Sequence, residues 1–177
     1  MKKFAAVLLC GIMTLALAAC GGGGTKGGES ADVSGEIIDT GVFSALLPDG
    51  WYNYPVKDMT SDNPDTLDPD ALRFCKNMTS EDEIFDTAYL QINRYDTDAM
   101  ILDMRDMYDD VQDVSFDVDG NTWEGFTGKY GEYLNFIIMS TRTDCIFYVS
   151  GVMNGSKSNF SFNDADVLAI LASCRLD

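Results

Sequence analysis

Apolar and polar residues alternate with a period of two in several parts of this sequence, which predicts β-strands. Residues 87–95 are the clearest case, because alanine, leucine and isoleucine at even positions alternate with tyrosine, glutamine and asparagine at odd positions. This pattern predicts a strand with one apolar and one polar face. The predicted strands comprise residues 42–47, 51–54, 71–76, 87–95, 114–118, 121–130, 133–141 and 145–153. Asp119-Gly120 predicts a tight hairpin turn between two of them.

Two segments have helical periodicity instead. In residues 96–111 the apolar side chains fall within one arc of about 120°, with aspartates on the other side. The second predicted helix spans residues 164–175, with Asn163 as its cap and Asp166 supporting the cap in the first turn. Helices flanking a meander of strands predict an α+β protein, an α/β/α sandwich with a mainly antiparallel sheet.

The first residues of the chain have the layout of an export signal. Lys2 and Lys3 give a positive start, and residues 4–19 are apolar and uncharged. The run ends in Leu17-Ala18-Ala19-Cys20, which resembles the lipobox of bacterial lipoproteins. That resemblance implies cleavage before Cys20 and a diacylglycerol on its sulfur, which would make a durable membrane anchor. The alternative is a simple secretory signal in which Cys20 is incidental.

These features divide the chain into three parts. Residues 1–19 are the predicted lipoprotein signal peptide, residues 20–35 a lipidated cysteine with a glycine-rich tether, and residues 36–177 the folded domain. We therefore expect an extracytoplasmic domain held to the cell membrane by its lipid.

Charge and composition exclude several kinds of chemistry. The chain has 12 basic and 29 acidic residues, a net charge of -17, and no histidine. Histidine-based nucleophile systems and histidine-ligated zinc sites are thereby excluded within this chain. Loss of Lys2 and Lys3 with the leader would change the net charge from -17 to -19. Such a charge disfavours nucleic acid and anionic lipid headgroups as partners. We predict no catalytic residue, no cofactor and no enzymatic activity.

An acidic loop over residues 57–70 is the candidate metal site. Several aspartates there could supply the oxygen ligands that calcium takes, and the candidates are Asp62, Asp65, Asp68 and Asp70. The spacing is not that of an EF-hand, and the prolines at 64 and 69 favour aspartates that cap turns in solvent.

Cysteines and aromatic residues raise two further questions. Cys75, Cys145 and Cys174 form no C-x-x-C pair, so buried reduced thiols are the expectation, with a Cys145–Cys174 bridge as the alternative. Aromatic residues on polar faces could stack on sugar rings or on a protein partner, and the candidates are Trp51 and Trp123. Packing within the sheet is the competing role for both tryptophans.

Several strings in the domain carry a family resemblance. The strings are Phe43-Ser44-Ala45-Leu46-Leu47-Pro48-Asp49-Gly50-Trp51, the hairpin Val118-Asp119-Gly120 before Trp123, and the closing residues 166–173. Together with the element order, they resemble bacterial lipoproteins with a PsbP-like domain. The resemblance implies an α/β/α sandwich that binds or scaffolds, with no shared active site. We therefore expect a non-enzymatic binding or scaffolding module of the cell envelope, whose partner beyond the membrane is an envelope protein or wall glycan. The alternative is a glycan-binding or hydrolytic module that uses surface aromatics and aspartates.

Overall fold

A computed structural model describes residues 33–177 of the chain. This range contains ten strands and one α-helix, in the order β1 (Gly35–Asp39), β2 (Phe43–Pro48), β3 (Trp51–Tyr54), β4 (Ala71–Lys76), β5 (Tyr89–Tyr95), β6 (Asp109–Val118), β7 (Asn121–Tyr130), β8 (Tyr133–Thr141), β9 (Ile146–Val152), α1 (Ala165–Ser173) and β10 (Arg175–Leu176). Short 3-10 turns occupy Glu81–Glu83 and Arg105–Met107. Within residues 33–177, no helix is both long and apolar enough to cross a membrane.

The strands form two sheets in which every pairing is antiparallel. The larger sheet has seven strands in the order β3-β4-β5-β9-β8-β7-β6, and the smaller has the order β1-β2-β10. The predicted antiparallel sheet is thus confirmed, and β3, β4, β7 and β8 have the predicted bounds. Strand β1 was missed, because only a short apolar pair marks it and β2 is its single partner.

The core lies between one face of the seven-stranded sheet and a second layer made of β2 and α1. Phe43 of β2 meets Phe147 of β9 with ring centroids 5.6 Å apart. Helix α1 contributes Val167, Ile170 and Leu171, each at most 1% exposed. Burial of these side chains is the main stabilising contribution, since each large apolar side chain contributes about 1.5–3 kcal/mol. We call this face of the large sheet its inner face.

The helix predicted over residues 96–111 is wrong. Only Arg105–Met107 forms a 3-10 turn there, and β6 begins already at Asp109. Aspartate is a poor former of helix interiors and favours turns. Asp103 shows the competing geometry, because its Oδ1 accepts a hydrogen bond from the backbone N–H of Arg105 at 3.1 Å. Met100, which belonged to the predicted apolar stripe, is 88% exposed.

The helix-flanked sandwich is therefore overstated. In the part of the chain described here α1 is the single α-helix, and it lies on the inner face. The opposite face is partly covered by irregular chain, residues 96–108, which we call the strap. Gly128 makes room for it, since a Cβ on this residue would lie 2.7 Å from the Cβ of Tyr108.

The closing helix was predicted in the right region but with the wrong cap. Asp164, not Asn163, is the N-cap residue, and its side chain makes no capping hydrogen bond. The helix ends at Ser173, two residues before the predicted end, because residues 175–176 leave it to pair with β2 as β10.

Candidate functional site

The predicted signal peptide, Cys20 and the tether up to residue 32 lie outside the described residues. Lipidation at Cys20 thus stays a prediction from the sequence. The remaining site candidates all fall within the described domain.

The acidic loop does not bring its candidate metal ligands together. No group of three or more acidic, cysteine or histidine side chains within residues 33–177 is arranged to hold a metal ion. Asp65 lies 3.7 Å from Lys57 Nζ, and Asp70 lies 3.5 Å from Arg94 Nη1. Asp68 Oδ1 accepts a hydrogen bond from the backbone N–H of Asp70 at 2.9 Å. These contacts are those of a loop stabilised by turns and ion pairs, and Asp62 is exposed in the same loop.

Neither candidate tryptophan is available at the surface. Trp123 is 0% exposed and lies on the inner face, and Trp51 is 8% exposed. The indole N–H of Trp51 donates a hydrogen bond to Asp166 Oδ2 at 2.8 Å. The placement of both as sugar-stacking residues is thereby corrected. Their positions in β7 and β3 have the parity that points toward α1.

The three cysteines are free and buried. Burial raises the pKa of the Cys75 thiol to about 12 and that of the Cys174 thiol to about 12. Burial also raises the pKa of Cys145. The thiols are therefore protonated at neutral pH, which makes them unreactive.

A polar cluster ties the first turn of α1 to the large sheet. Lys76 Nζ of β4 lies 3.1 Å from Asp166 Oδ2 and 3.2 Å from Asp164 Oδ2. Burial pushes the pKa of Asp166 upward, but hydrogen bonds from Trp51 and Lys76 outweigh it and hold the pKa below its ordinary value of 3.8. The ionised form of Asp166 thus stabilises the folded state.

We expect Asp166→Asn to lower the free energy of unfolding at pH 7 by about 1–3 kcal/mol, since a charge-assisted bond to Trp51 and the pair with Lys76 are lost. Because the folded pKa is lowered, the stabilisation by Asp166 is present above pH 3.8 and is lost as the pH falls through the folded pKa. The difference between variant and wild type should therefore shrink in acid. Urea denaturation of both proteins, from pH 7 to below pH 3.8, measures this difference in the free energy of unfolding. The exposed Asp62→Asn is the control. An equal loss in both variants, or a loss unchanged in acid, would contradict this role.

The tyrosines are concentrated on the face of the seven-stranded sheet that is turned away from α1. Residues directly opposite each other in an antiparallel pair share a face, and the register pairs Tyr52 with Cys75, Cys75 with Tyr89, and Tyr130 with Tyr133. Seven of the eight tyrosines of the chain lie on this face, and the eighth comes from the strap. They are Tyr52, Tyr54, Tyr89, Tyr95, Tyr108, Tyr130, Tyr133 and Tyr148. We call this surface the tyrosine face.

Arg73 lies at the centre of the uncovered part of the tyrosine face. Its guanidinium carbon is 5.4 Å from the ring centroid of Tyr54 and 5.5 Å from that of Tyr89. Arg73 Nε donates a hydrogen bond to Gln91 Oε1 at 3.0 Å, and Gln91 Nε2 donates to Asn93 Oδ1 at 2.9 Å. Cation–π contacts and this amide chain hold the side chain in one position. No carboxylate of the described domain forms an ion pair with it.

The strap covers the other part of the tyrosine face. A cavity of about 130 Å³ remains between Met104 of the strap and the outward side chains Ile137, Met139 and Tyr148. Burial raises the pKa of Tyr148, so its hydroxyl stays protonated and can donate a hydrogen bond. The tyrosines around the strap contact one another edge to face, as Tyr95 does with Tyr148 at 6.0 Å.

Surface aromatic residues were predicted, but Trp51 and Trp123 are not among them, since both are buried. One signal could have found part of this face, because the predicted polar side of residues 87–95 already carries Tyr89, Gln91 and Asn93. Arg73 stands on the neighbouring predicted strand, at the centre of its apolar run. Its alignment with Gln91 depends on the register between two strands, which the pattern does not contain.

Comparison with known proteins gives similarity of fold and nothing closer. No protein-family model matches the chain, and no curated protein matches its sequence. A crystal structure of a protein from Bacteroides thetaiotaomicron VPI-5482 is similar, with a TM-score of 0.50 and 12% identity over 81% of this chain and 48% of that one. The chain thus spans about half the length of that protein.

The similar structures also include the solution structure of cyanobacterial PsbP (CyanoP) from Synechocystis sp. PCC 6803. Its TM-score is 0.42, with 12% identity over 86% of this chain and 98% of that chain. At 12% identity the Bacteroides protein shows a shared fold alone. The described residues therefore have a fold of mainly antiparallel sheets with one α-helix, and similarity of fold does not establish a function.

Proposed function

We propose that this protein is a lipid-anchored, extracytoplasmic binding module that docks a protein partner on the tyrosine face. The observation that carries the proposal is the composition of that face. The lipid anchor is inferred from the motif ending at Cys20. No catalytic role is assigned, since none of the sites described above brings nucleophilic and acid–base groups together.

Charge is distributed very unevenly over the large sheet. The chain has 29 acidic residues, yet on β3, β4, β5, β9 and β8 no acidic residue points to the tyrosine face, and Arg73 is the one cation. Glu124 of β7 and Asp113 and Asp117 of β6 supply acids only at one side of the face. Protein interfaces are enriched in tyrosine, arginine and methionine, and their centres are depleted of charged residues. The uncovered face matches that composition.

A protein partner fits this face better than a glycan. Sugar recognition by stacking needs exposed ring faces. Here the guanidinium of Arg73 already lies over the rings of Tyr54 and Tyr89, and Tyr95 and Tyr148 contact each other. Around Arg73 the groups left for a partner are hydroxyls, amides and a held guanidinium, and the exposed ring of Tyr130 lies apart from them on β7. Clustered tyrosine and arginine side chains of this kind dominate binding energy at protein interfaces.

The same geometry indicates the chemistry of the partner surface. Arg73 has no carboxylate of its own, so the partner should present a carboxylate or backbone carbonyl opposite it. The side chains around that contact are half-buried, as in Tyr52, Tyr89 and Val152. We therefore expect the partner surface to be apolar around its contact with Arg73. The acidic remainder of the chain would repel other acidic surfaces and so favour docking through this face.

The test places a photoreactive benzophenone amino acid at Tyr52, on the tyrosine face, in intact cells. The matched control places it at Ile37 of β1, which is 47% exposed on the smaller sheet. We expect one discrete protein adduct from position 52 and none from position 37. Arg73→Glu should reduce the adduct on the order of thirtyfold, because it reverses the charge at the centre of the contact. A thermal melt of Arg73→Glu confirms that it is folded.

Three results would overturn the proposal. They are equal adducts from positions 37 and 52, an adduct unaffected by Arg73→Glu in the folded variant, and an adduct that is glycan instead of protein. The last of these would establish the glycan-binding alternative.

A further inference from the structure

A cavity of about 560 Å³ lies at the end of the sheet where the β6–β7 and β8–β9 turns approach β10. Its volume is in the range of small-ligand sites. The polar residues that line it are Asn121, Thr141, Arg142, Thr143, Asp144 and Arg175. The cavity is separate from the tyrosine face, since Phe147 of its lining points to the inner face.

Two of the three arginines without an acidic partner line this cavity. In residues 33–177, all other lysines and arginines form an ion pair within 4.0 Å, whereas Arg73, Arg142 and Arg175 form none. In a chain with 29 acidic and 12 basic residues, cations without partners are unexpected. Two such arginines at one cavity indicate a site whose negative charge is supplied by a bound ligand.

Arg142 is held firmly in the wall of the cavity. Its Nη1 donates a hydrogen bond to the backbone carbonyl of Cys174 at 2.7 Å, and its guanidinium carbon lies 4.8 Å from the ring centroid of Phe147. Its Nε and Nη2 are buried and have no hydrogen-bond acceptor within the described domain. A buried charge without a counter-charge is costly, so an anion in the cavity would stabilise it.

Arg175 supplies a second guanidinium that solvent can reach. It is exposed on β10, and its Nε donates a hydrogen bond to Ser44 Oγ at 3.2 Å. Ser44 in turn donates to Asp177 Oδ1 at 3.0 Å. The two Nη atoms of Arg175 make no hydrogen bond within residues 33–177. Such a fork fits the geometry of phosphate and carboxylate groups.

We propose that this cavity binds a compact oxyanion, a phosphate or carboxylate group. Arg175 contacts the anion directly, together with hydroxyl and amide donors of Thr141, Thr143 and Asn121. Arg142 Nε and Nη2 are buried, so Arg142 does not contact the anion directly. Its positive charge in the cavity wall attracts the anion instead. Asp144 is the one carboxylate of the lining, so two guanidiniums outnumber it.

The test measures binding of inorganic phosphate, and separately of acetate, to the full chain in neutral detergent by calorimetry at constant ionic strength. We expect saturable binding of at least one anion. Arg175→Gln should weaken it at least about tenfold, as expected for loss of a charge-assisted contact. The matched control is Arg105→Gln, an arginine of the strap that has its own acidic partners, and it should bind as wild type does.

Vesicles distinguish the source of the anion. Binding to phosphatidylglycerol vesicles beyond that to neutral vesicles, lost in Arg175→Gln, identifies a lipid headgroup, whereas binding of phosphate or acetate alone identifies a soluble anion. The absence of saturable binding in every arm would overturn the proposal. Equal weakening by Arg105→Gln and Arg175→Gln would also overturn it, because it would show a nonspecific effect of charge. The photocrosslink from position 52 is expected to persist in Arg175→Gln, so the two proposals can fail separately.

Discussion

Replacement of Trp123 by alanine is expected to lower the free energy of unfolding by about 3–5 kcal/mol. Trp123 is 0% exposed and is among the largest fully buried side chains of the core cluster. Alanine there would remove most of the buried indole surface and leave a cavity between the sheet and the second layer, which the surrounding strands cannot fill. Urea denaturation followed by circular dichroism measures the change.

Two comparison variants sharpen this prediction. Tyr130→Ala removes an aromatic ring that is 63% exposed and should change the stability by no more than about 0.5 kcal/mol. Trp123→Phe should cost clearly less than Trp123→Ala, because the indole N–H has no acceptor within the described domain and its removal relieves a buried polar group. If Trp123→Ala were as stable as Tyr130→Ala, Trp123 would not be a core residue and its surface role would have to be reconsidered.

Substitution of Cys20 by serine is expected to move most of the protein from the membrane fraction to the soluble fraction. Each buried CH₂ of an acyl chain contributes about 0.8 kcal/mol to membrane binding, and two chains anchor a protein stably where one does so only marginally. Without the Cys20 sulfur the predicted attachment site for the diacylglycerol is lost. The polypeptide itself offers little attraction to anionic lipid, given the net charge of -17 of the full chain.

Cys10→Ser is the matched control for that experiment, since Cys10 lies within the predicted leader and is not the predicted lipid site. This variant should fractionate with the membrane as the wild type does, and intact-mass measurement should show the lipid on Cys20. A Cys20→Ser protein that remained in the membrane fraction, or a natural amino end without lipid, would remove the anchor from the proposed function.

Local sequence signals predicted most of the strands. Hairpins such as the one at Asp119-Gly120 are fixed by neighbouring residues, so β6, β7 and β8 could be recognised from short patterns. The helix over residues 96–111 was wrong because helical periodicity arose there by chance in an aspartate-rich segment. Strand β1 escaped because an edge strand has little pattern of its own.

The candidate site was less predictable than the fold, because it depends on contacts between distant parts of the chain. Tyr89 joins the tyrosine face through pairing of β5 with β4 and β9, and β9 is more than fifty residues away in sequence. Arg142 and Arg175 meet at one cavity only because β10 turns back from α1 onto β2. No local pattern encodes either juxtaposition.

The separation of aromatic types by the large sheet has a practical consequence. Both tryptophans lie on the α1 side, whereas the tyrosines lie on or against the opposite side. Tryptophan emission will therefore report on the integrity of the interior, and tyrosine-directed iodination or nitration will footprint a single side of the molecule. One unlabelled natural chain thus carries two independent reporters, one for melting and one for occupancy.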